Sequence, residues 1–427
     1  MIISLITLSF FIYWILFRRE PSILVQPTLV KLVFYREYLL LTMIPYIYYL
    51  YGDRWQDHYI FRQLDSDVYF YYSAYFAFTF ITFFLFTYKI LEPALELTIK
   101  RVNIEISYLK LRFQLNTLVF ILFFYLIVVT FRYDASFIGL FKFSLLELIE
   151  KRSLLSQGGG FLSFNKLILK AWIPSLSYLY LYLFFSKRFH FRLLDKVFLF
   201  LAIFMGITAS LWFFEKAVIV FYLFGLAGIY FFSGNQMKKK YTLMFPFVFV
   251  LLIALMYVIT YQDKISNTQY LIDIILHRLF TQSTGSVMAI DYFMKNDYLY
   301  FSGVSNLLAS INGNVFQSVY SLIIDYYVPE TWETSGAMSS FVTGDAFGLF
   351  GFIGVLISGV IVGIYYSFFE ATKASDFMAI IFSGLYGLHF SHFYVASSFY
   401  SFLWPIGMLY SVFPFALLAL FSIKNRR

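Results

Sequence analysis

The sequence predicts an all-α polytopic membrane protein, and three observations carry that prediction. Hydrophobic residues make up 61% of the chain and charged residues only 13%, a balance that a soluble domain of 427 residues has no interior large enough to hide. Apolar runs approaching the ~20 residues needed to cross a bilayer recur along the whole length. Aromatic residues reach 23%, with 57 Phe and 37 Tyr, and tyrosine suits a chain whose rings lie in lipid while its hydroxyls reach headgroups or cavity water.

The runs fall at roughly 2–17, 38–51, 68–88, 115–131, 167–185, 197–214, 217–232, 241–261, 344–366, 377–395 and 402–423, which makes about eleven transmembrane helices in one integral membrane domain, 1–427. The first run is followed by Arg18 and Arg19 and has neither a basic leader nor a small-residue cleavage site, so it reads as a retained helix. Alternate connections then collect most of the basic residues: Arg18, Arg19, Lys31 and Arg36; Lys89, Lys100, Arg101, Lys110 and Arg112; Lys187, Arg188, Arg192 and Lys196; and Lys238, Lys239 and Lys240. Lys373, Lys424, Arg426 and Arg427 fall on the same side. The positive-inside rule therefore puts the amino terminus outside and the carboxyl terminus in the cytoplasm.

Three connections face the outside in that arrangement: 52–67, 132–166 and the long 262–343. The last carries an amphipathic stretch, Tyr270 to Phe280, and a mixed apolar one, Val315 to Tyr327, so it is expected to be folded and partly helical. No repeat of fixed period and no inverted pair of interrupted helices is visible, which argues against a secondary transporter. The absence of cysteine excludes disulfides, thiolate metal sites and thiol catalysis. The net charge of +8 sits in short clusters between apolar runs, a matter of topology and not a nucleic-acid stripe.

Ionisable groups near membrane depth are the informative ones. Arg278, in Leu276-His277-Arg278-Leu279-Phe280, is a cation in an apolar stretch, where a guanidinium either forks onto phosphate or snorkels to headgroups. Arg132 closes the fourth span, and Lys151 and Arg152 follow in the second outer loop; Glu147 and Lys151 have the i,i+4 spacing of a solvated pair. Gly158-Gly159-Gly160 has no strand before it and no Lys-Ser/Thr after it, so it reads as a hinge and not a phosphate cradle. Glu215 and Lys216 occupy a tight hairpin, either reaching a cavity or capping the turn. Asp345 opens the ninth span, where a carboxylate also simply caps a helix dipole. His389 and His392 are i,i+3 near the outer end of the tenth span, on one helical face, and with Asp345 could form a metal site or a proton relay, although two histidines with no clear third ligand are a weak metal signal. Gly344/Gly348 and Gly359/Gly363 are small-xxx-small pairs that allow close helix packing.

From Arg278 to Gly363, about a fifth of the chain, the pattern resembles the Wzy-type O-antigen and oligosaccharide repeat-unit polymerases of bacteria. The resemblance lies in Arg278, in IDYF and YFSGVSNL, and in ETSGAMSSFVTGDAFGLFGFIGVLISGVIVG, where Phe350-Gly351-Phe352-Ile353-Gly354 fits the family's Phe-Gly-x-x-Gly. Asp345 stands where the family often has Glu, and Lys216 where Arg is more usual. The resemblance implies a GT-C-class glycosyltransferase of the bacterial inner (cytoplasmic) membrane, with the long loop periplasmic and no nucleotide sugar, metal or cofactor. Donor and acceptor are then undecaprenyl-pyrophosphate-linked oligosaccharides, with membrane lipids and a chain-length regulator protein as further partners. Arg278 becomes the pyrophosphate clamp, assisted by Arg132, Arg152 or Lys216; the base is Asp345, His389 or His392, with Glu150 behind them; and Tyr292 stacks on sugar. An O-antigen ligase, a lipid-linked oligosaccharide flippase and a structural assembly subunit remain the alternatives.

Overall fold

In a computed structural model, the chain is described over residues 1–424 apart from 57–60, 62, 103, 134–160, 188, 213–215, 237–283, 328–339, 393 and 396–398. The expected eighth span, 241–261, and the stretch Tyr270 to Phe280 lie outside the described residues. Among those described, helices account for the regular structure, with one isolated bridge between Ile106 and Ile423.

Helix α1 is Ile2–Phe17, and α2 runs without a break through Leu29–Leu32, Val33–Met43 and Ile44–Leu50. Then follow α3 (Val68–Arg101), α4 (Tyr108–Tyr133) and α5, continuous through Phe161–Leu167, Ile168–Trp172 and Ile173–Phe185. The next are α6 (Leu193–Leu211), α7 (Lys216–Phe232), α8 (Thr284–Lys295), α9 (Asn306–Ile311) and α10 (Val319–Tyr327). The last four are α11 (Val342–Ala371), α12 (Asp376–Ser391), α13 (Tyr400–Leu403) and α14 (Ile406–Phe421). Five of these, α3, α4, α5, α6 and α11, are long and apolar enough to cross a membrane, and α1, α7 and α14 contain shorter apolar helices. Such a set of helices makes the protein an all-α membrane protein.

Two stretches widen into π-helix, Val33–Met43 and Ile168–Trp172, and each lies just before a proline, Pro45 or Pro174. A proline removes one backbone donor and crowds the carbonyl four residues back, and the wider turn accommodates that defect. The first of these helices also starts well before 38: Lys31, Arg36 and Glu37, expected at a membrane surface, are inside α2.

Helix α3 is 34 residues long, ~50 Å at ~1.5 Å per residue, and outruns a ~30 Å hydrocarbon core. It also serves as a ruler for α11, which is broken: Phe350 has φ −135° and Gly351 φ +62°, a conformation suited to glycine. On one side of the break Phe347 meets Phe76, with ring centroids 5.0 Å apart, and Phe341 meets Phe80 at 5.1 Å. On the other side Phe352 also meets Phe76, at 5.7 Å, while Tyr366 meets Phe84 at 5.9 Å and Ser367 Oγ donates to Tyr88 O. The arm 342–349 therefore climbs α3 toward Val68, the chain reverses at Phe350-Gly351, and the arm 352–371 descends. Gly354 packs directly under Ala346 O, where a Cβ would collide.

The small-residue pairs explain the closeness. A Cβ on Gly359 would lie 2.7 Å from Phe80 O, and one on Gly363 2.8 Å from Thr87 Cβ, so this pair seats the descending arm on α3. Gly344 and Gly348 seat the climbing arm on α8, against Ser286 and Phe293. Helix α8 thus runs parallel to the climbing arm, from the Phe80 level to the Val68 end, where Lys295 pairs with Asp65. Part of 262–343 is consequently packed along a spanning helix and is not a free surface loop.

Replacing Gly359 by alanine should destabilise the protein by ~1–3 kcal/mol through overpacking against the α3 backbone. Gly407, where an added Cβ would meet nothing within 4 Å, should accept alanine without loss. Thermal unfolding of the detergent-solubilised protein compares the two, and equal melting temperatures would contradict this packing.

Candidate functional site

The turn at Phe350-Gly351 and the chain between α12 and α13 place two polar clusters within the helix assembly. The first surrounds Asp345, in the first turn of the climbing arm and 1% exposed. Its Oδ2 accepts hydrogen bonds from the backbone N–H groups of Phe399 and Tyr400, at 2.6 and 2.9 Å. The capping role suggested by its position is therefore real, but it serves the start of α13 and not its own helix. Three residues earlier, Val342 N donates to Val395 O at 2.7 Å. Ser286 Oγ donates to Phe341 O and accepts from Phe341 N. Two further buried hydroxyls, Tyr320 Oη on α10 and Thr343 Oγ1, have no hydrogen-bond partner among the described residues.

The Phe80 level lies ~18 Å along α3 from Val68. The sequence expects Asp345 at the outer face, opening the ninth span; the structure shows it enclosed by protein. The helix break beyond it is invisible to hydropathy, because 342–371 reads as one apolar run.

The second cluster is one step further from Val68. Helix α12 ends at Ser391 with His392 as its C-cap (φ −89°, ψ 158°), whose N–H still bonds Leu388 O at 2.9 Å; His389 and His392 both face Tyr394, ring centroids 4.2 and 5.7 Å away. Arg36 of α2 ends the helix: its Nη1 donates to Phe390 O at 2.7 Å and its Nη2 to His392 O at 3.0 Å, while Nη2 also meets buried Glu37 at 2.8 Å. His389 is fully enclosed, with Nδ1 3.3 Å from Tyr366 Oη and its ring stacked on Tyr394 at 4.2 Å. Its Nε2 has no hydrogen-bond partner among the described residues. His392 is half-buried, with Nδ1 2.8 Å from Ser391 Oγ, and borders a cavity of about 10 Å³ shared with Lys170, Ser210 and Tyr222, room for about one water. Asp345 and the histidines flank the same stretch, 392–399, yet no trio of metal-ligating side chains forms among the described residues.

Of the remaining expected site residues, the side chains of Arg132 and Tyr292 are described. Arg278 and Arg152 lie outside the described residues, as do Glu147, Glu150, Lys151, Gly158, Gly159, Gly160 and Glu215. Lys216 begins α7, and its side chain is not described. Arg132 is exposed near the end of α4, whose main neighbours are α6 and α14 and not the elements carrying Asp345. Tyr292 is half-buried against Tyr326, ring centroids 5.3 Å apart, so it is packed and not presented.

Sequence reasoning passed over Asp291 and Lys295. Asp291 is fully buried, accepts from Tyr327 Oη and lies 2.7 Å from Lys295 Nζ, which also reaches Asp65 at 2.6 Å. Partial burial works against the Lys295 charge, but the hydrogen bonds to Asp291 and Asp65 outweigh it and hold the ammonium above the ordinary lysine range. A raised value keeps Lys295 charged up to and through the ordinary lysine range, and its contribution is lost only as pH rises beyond that, so Lys295 is a fixed cation and not a base. The i,i+4 spacing of Asp291 and Lys295 was the available signal.

Near the Val68 end, residues 297–302 and 312–317 border an open groove of about 500 Å³ beside the Phe350-Gly351 turn. Tyr298 underlies Gly351, and Leu299 N donates to Gly348 O at 3.0 Å, so the groove is built on the same reversal.

No protein-family model matches this chain, and no curated protein or solved structure is significantly similar to it.

Arg36→Met should cost ~3–5 kcal/mol, because Glu37 stays buried after losing this cation and two carbonyls lose their donor. The double variant R36M/E37Q should recover part of that loss. Additive costs in a double-mutant cycle would deny the pair its structural role.

Proposed function

We propose that the protein is a membrane glycosyltransferase that polymerises undecaprenyl-pyrophosphate-linked oligosaccharide repeat units at the outer face of the bacterial inner membrane. The observation that carries this reading is the reversal at Phe350-Gly351. It sets an open groove at the Val68 end and places a carboxylate and buried hydroxyls, Asp345, Tyr320 and Thr343, on the elements packed beneath it. A groove open at one end of the helix assembly suits chemistry on a lipid-borne substrate, where the leaving pyrophosphate stays in the headgroup layer. The Val68 end is then outside, the amino terminus outside and the carboxyl terminus in the cytoplasm, as the basic connections argue.

In this proposal Arg278 clamps the pyrophosphate, because a guanidinium fork strengthens as charge develops on the leaving group. Lys216, Arg132 and Arg152 are the supporting cations. Asp345 holds the α12–α13 connection in place, since its Oδ2 is engaged by two backbone donors. That leaves His392, half-buried and beside a water-sized cavity, as the better base, with enclosed His389 supporting it.

A second reading, a lipid-linked oligosaccharide flippase, is favoured by one observation. Arg36, Glu37 and His389 are buried beyond the Phe80 level, so ionisable groups occur in both halves of the helix assembly and not only at one end. Deletion of the gene separates the readings. A polymerase leaves single repeat units attached to the lipid A core, a ligase leaves unligated polymer, and a flippase leaves lipid-linked units on the cytoplasmic leaflet. Arg278→Ala and His392→Ala should each reduce long-chain polymer by roughly a hundredfold in complementation. Normal chain length in both variants would remove these residues from the reaction.

A further inference from the structure

We infer that the groove bordered by 297–302 and 312–317 is a glycan-binding subsite that holds a short oligosaccharide by ring stacking and amide hydrogen bonds. This deepens the polymerase reading and rests on it for the source of the glycan. The groove measures about 500 Å³, within the ~300–1,000 Å³ range of small-molecule sites. Two of its rings, Tyr300 and Phe301, are 56% and 55% exposed. Around them stand Asn312, Asn314, Gln317 and Asp297, all exposed. Apolar faces beside amide and carboxylate groups match the chemistry of a sugar, which has C–H faces and a rim of hydroxyls that both donate and accept.

A backbone observation points the same way. Tyr300 has φ +47°, a left-handed conformation that costs a bulky residue ~1–2 kcal/mol relative to glycine. Its ring lies at the edges of Tyr298 and Phe350, centroids 6.2 and 6.5 Å away, and more than half of the side chain stays exposed beside the groove. Asn312 and Asn314 are similarly set by the turn at Gly313, φ +71°. The charges are informative too: no Lys or Arg is among the described residues that line the groove, so it lacks the cations that a phospholipid headgroup or a pyrophosphate would select. The groove is therefore a place for the sugar portion of a substrate, and the phosphate must be held elsewhere.

The test places a photo-crosslinking phenylalanine analogue at Val315, a highly exposed residue on the groove wall, in the full-length protein expressed in its own host. The expected product is an adduct that stains for periodate-oxidisable carbohydrate and disappears in a control carrying the analogue at Leu193, exposed on α6. Adding Tyr300→Gly should reduce the carbohydrate adduct about tenfold while leaving the melting temperature equal or higher, because glycine relieves the strained φ. A purely structural Tyr300 would instead lower it. Adducts containing only phospholipid or polypeptide, no adduct, or an adduct insensitive to Tyr300→Gly, would overturn the subsite. Carbohydrate capture in a strain whose polymer length does not depend on this gene would retain the subsite and overturn the polymerase reading.

Discussion

Backbone polar groups inside a bilayer need partners, and where the helix is interrupted those partners must come from elsewhere in the protein. The arrangement of the carboxyl-terminal half follows from that constraint. Three interruptions lie close together near Phe80 and Phe84: the start of the climbing arm, the end of α12 and the connection into α13. Each is met by a particular group. Arg36 donates to Phe390 O and His392 O, Asp345 accepts from Phe399 N and Tyr400 N, and Val342 and Val395 bond to each other. The charged side chains are costly to bury, and their hydrogen bonds to otherwise orphaned backbone offset that cost.

Ordinary close packing holds the rest together, through glycines that remove side chains where backbones must approach. Gly359 and Gly363 bring the descending arm onto α3, and Gly344 and Gly348 bring the climbing arm onto α8. Because both arms use the same spacing, one helix-length sequence contains two separate interfaces. The break at Gly351 divides them. The groove lies directly beyond that break, so its shape is tied to the interior: Leu299 is fixed to Gly348, and Gly348 to the α8 face.

Much of this architecture was legible in the sequence, and what escaped it did so for physical reasons. Hydropathy located α1, α3, α4, α5, α6, α7 and the descending arm, because long apolar runs need no tertiary information. It placed the start of α2 too late, since Lys31 and Arg36 looked like surface charges while their partners, Pro21 O and Gln26 O for one and Phe390 O for the other, are remote or irregular in sequence. It read 344–366 as one straight span because the reversal changes direction without changing polarity. The small-residue pairs were correctly identified as packing devices, although their use on two different partners depends on the fold. At the candidate site, Asp345 and the histidines were recognised as unusual, but the bonds from Phe399 N and Tyr400 N to Asp345 depend on the fold. The groove's Tyr300 and Phe301 entered only as part of YFSGVSNL, and its Asn312 and Asn314 not at all, because the groove is assembled from a 3₁₀ turn and a glycine turn separated by α9.

Arg36 and Phe390 are 354 residues apart in sequence, and Leu29 N reaches Glu370 across 341. Ribosomal synthesis delivers the second helix long before α11 and α12 exist, so the Arg36 guanidinium and the Leu29 N–H are made without their carboxyl-terminal partners. The amino-terminal helices are therefore inserted in a provisional arrangement and reach their final one only when the last quarter of the chain arrives. Truncated products would be left with polar groups exposed to lipid, which is the kind of defect by which membrane quality control recognises an unfinished protein.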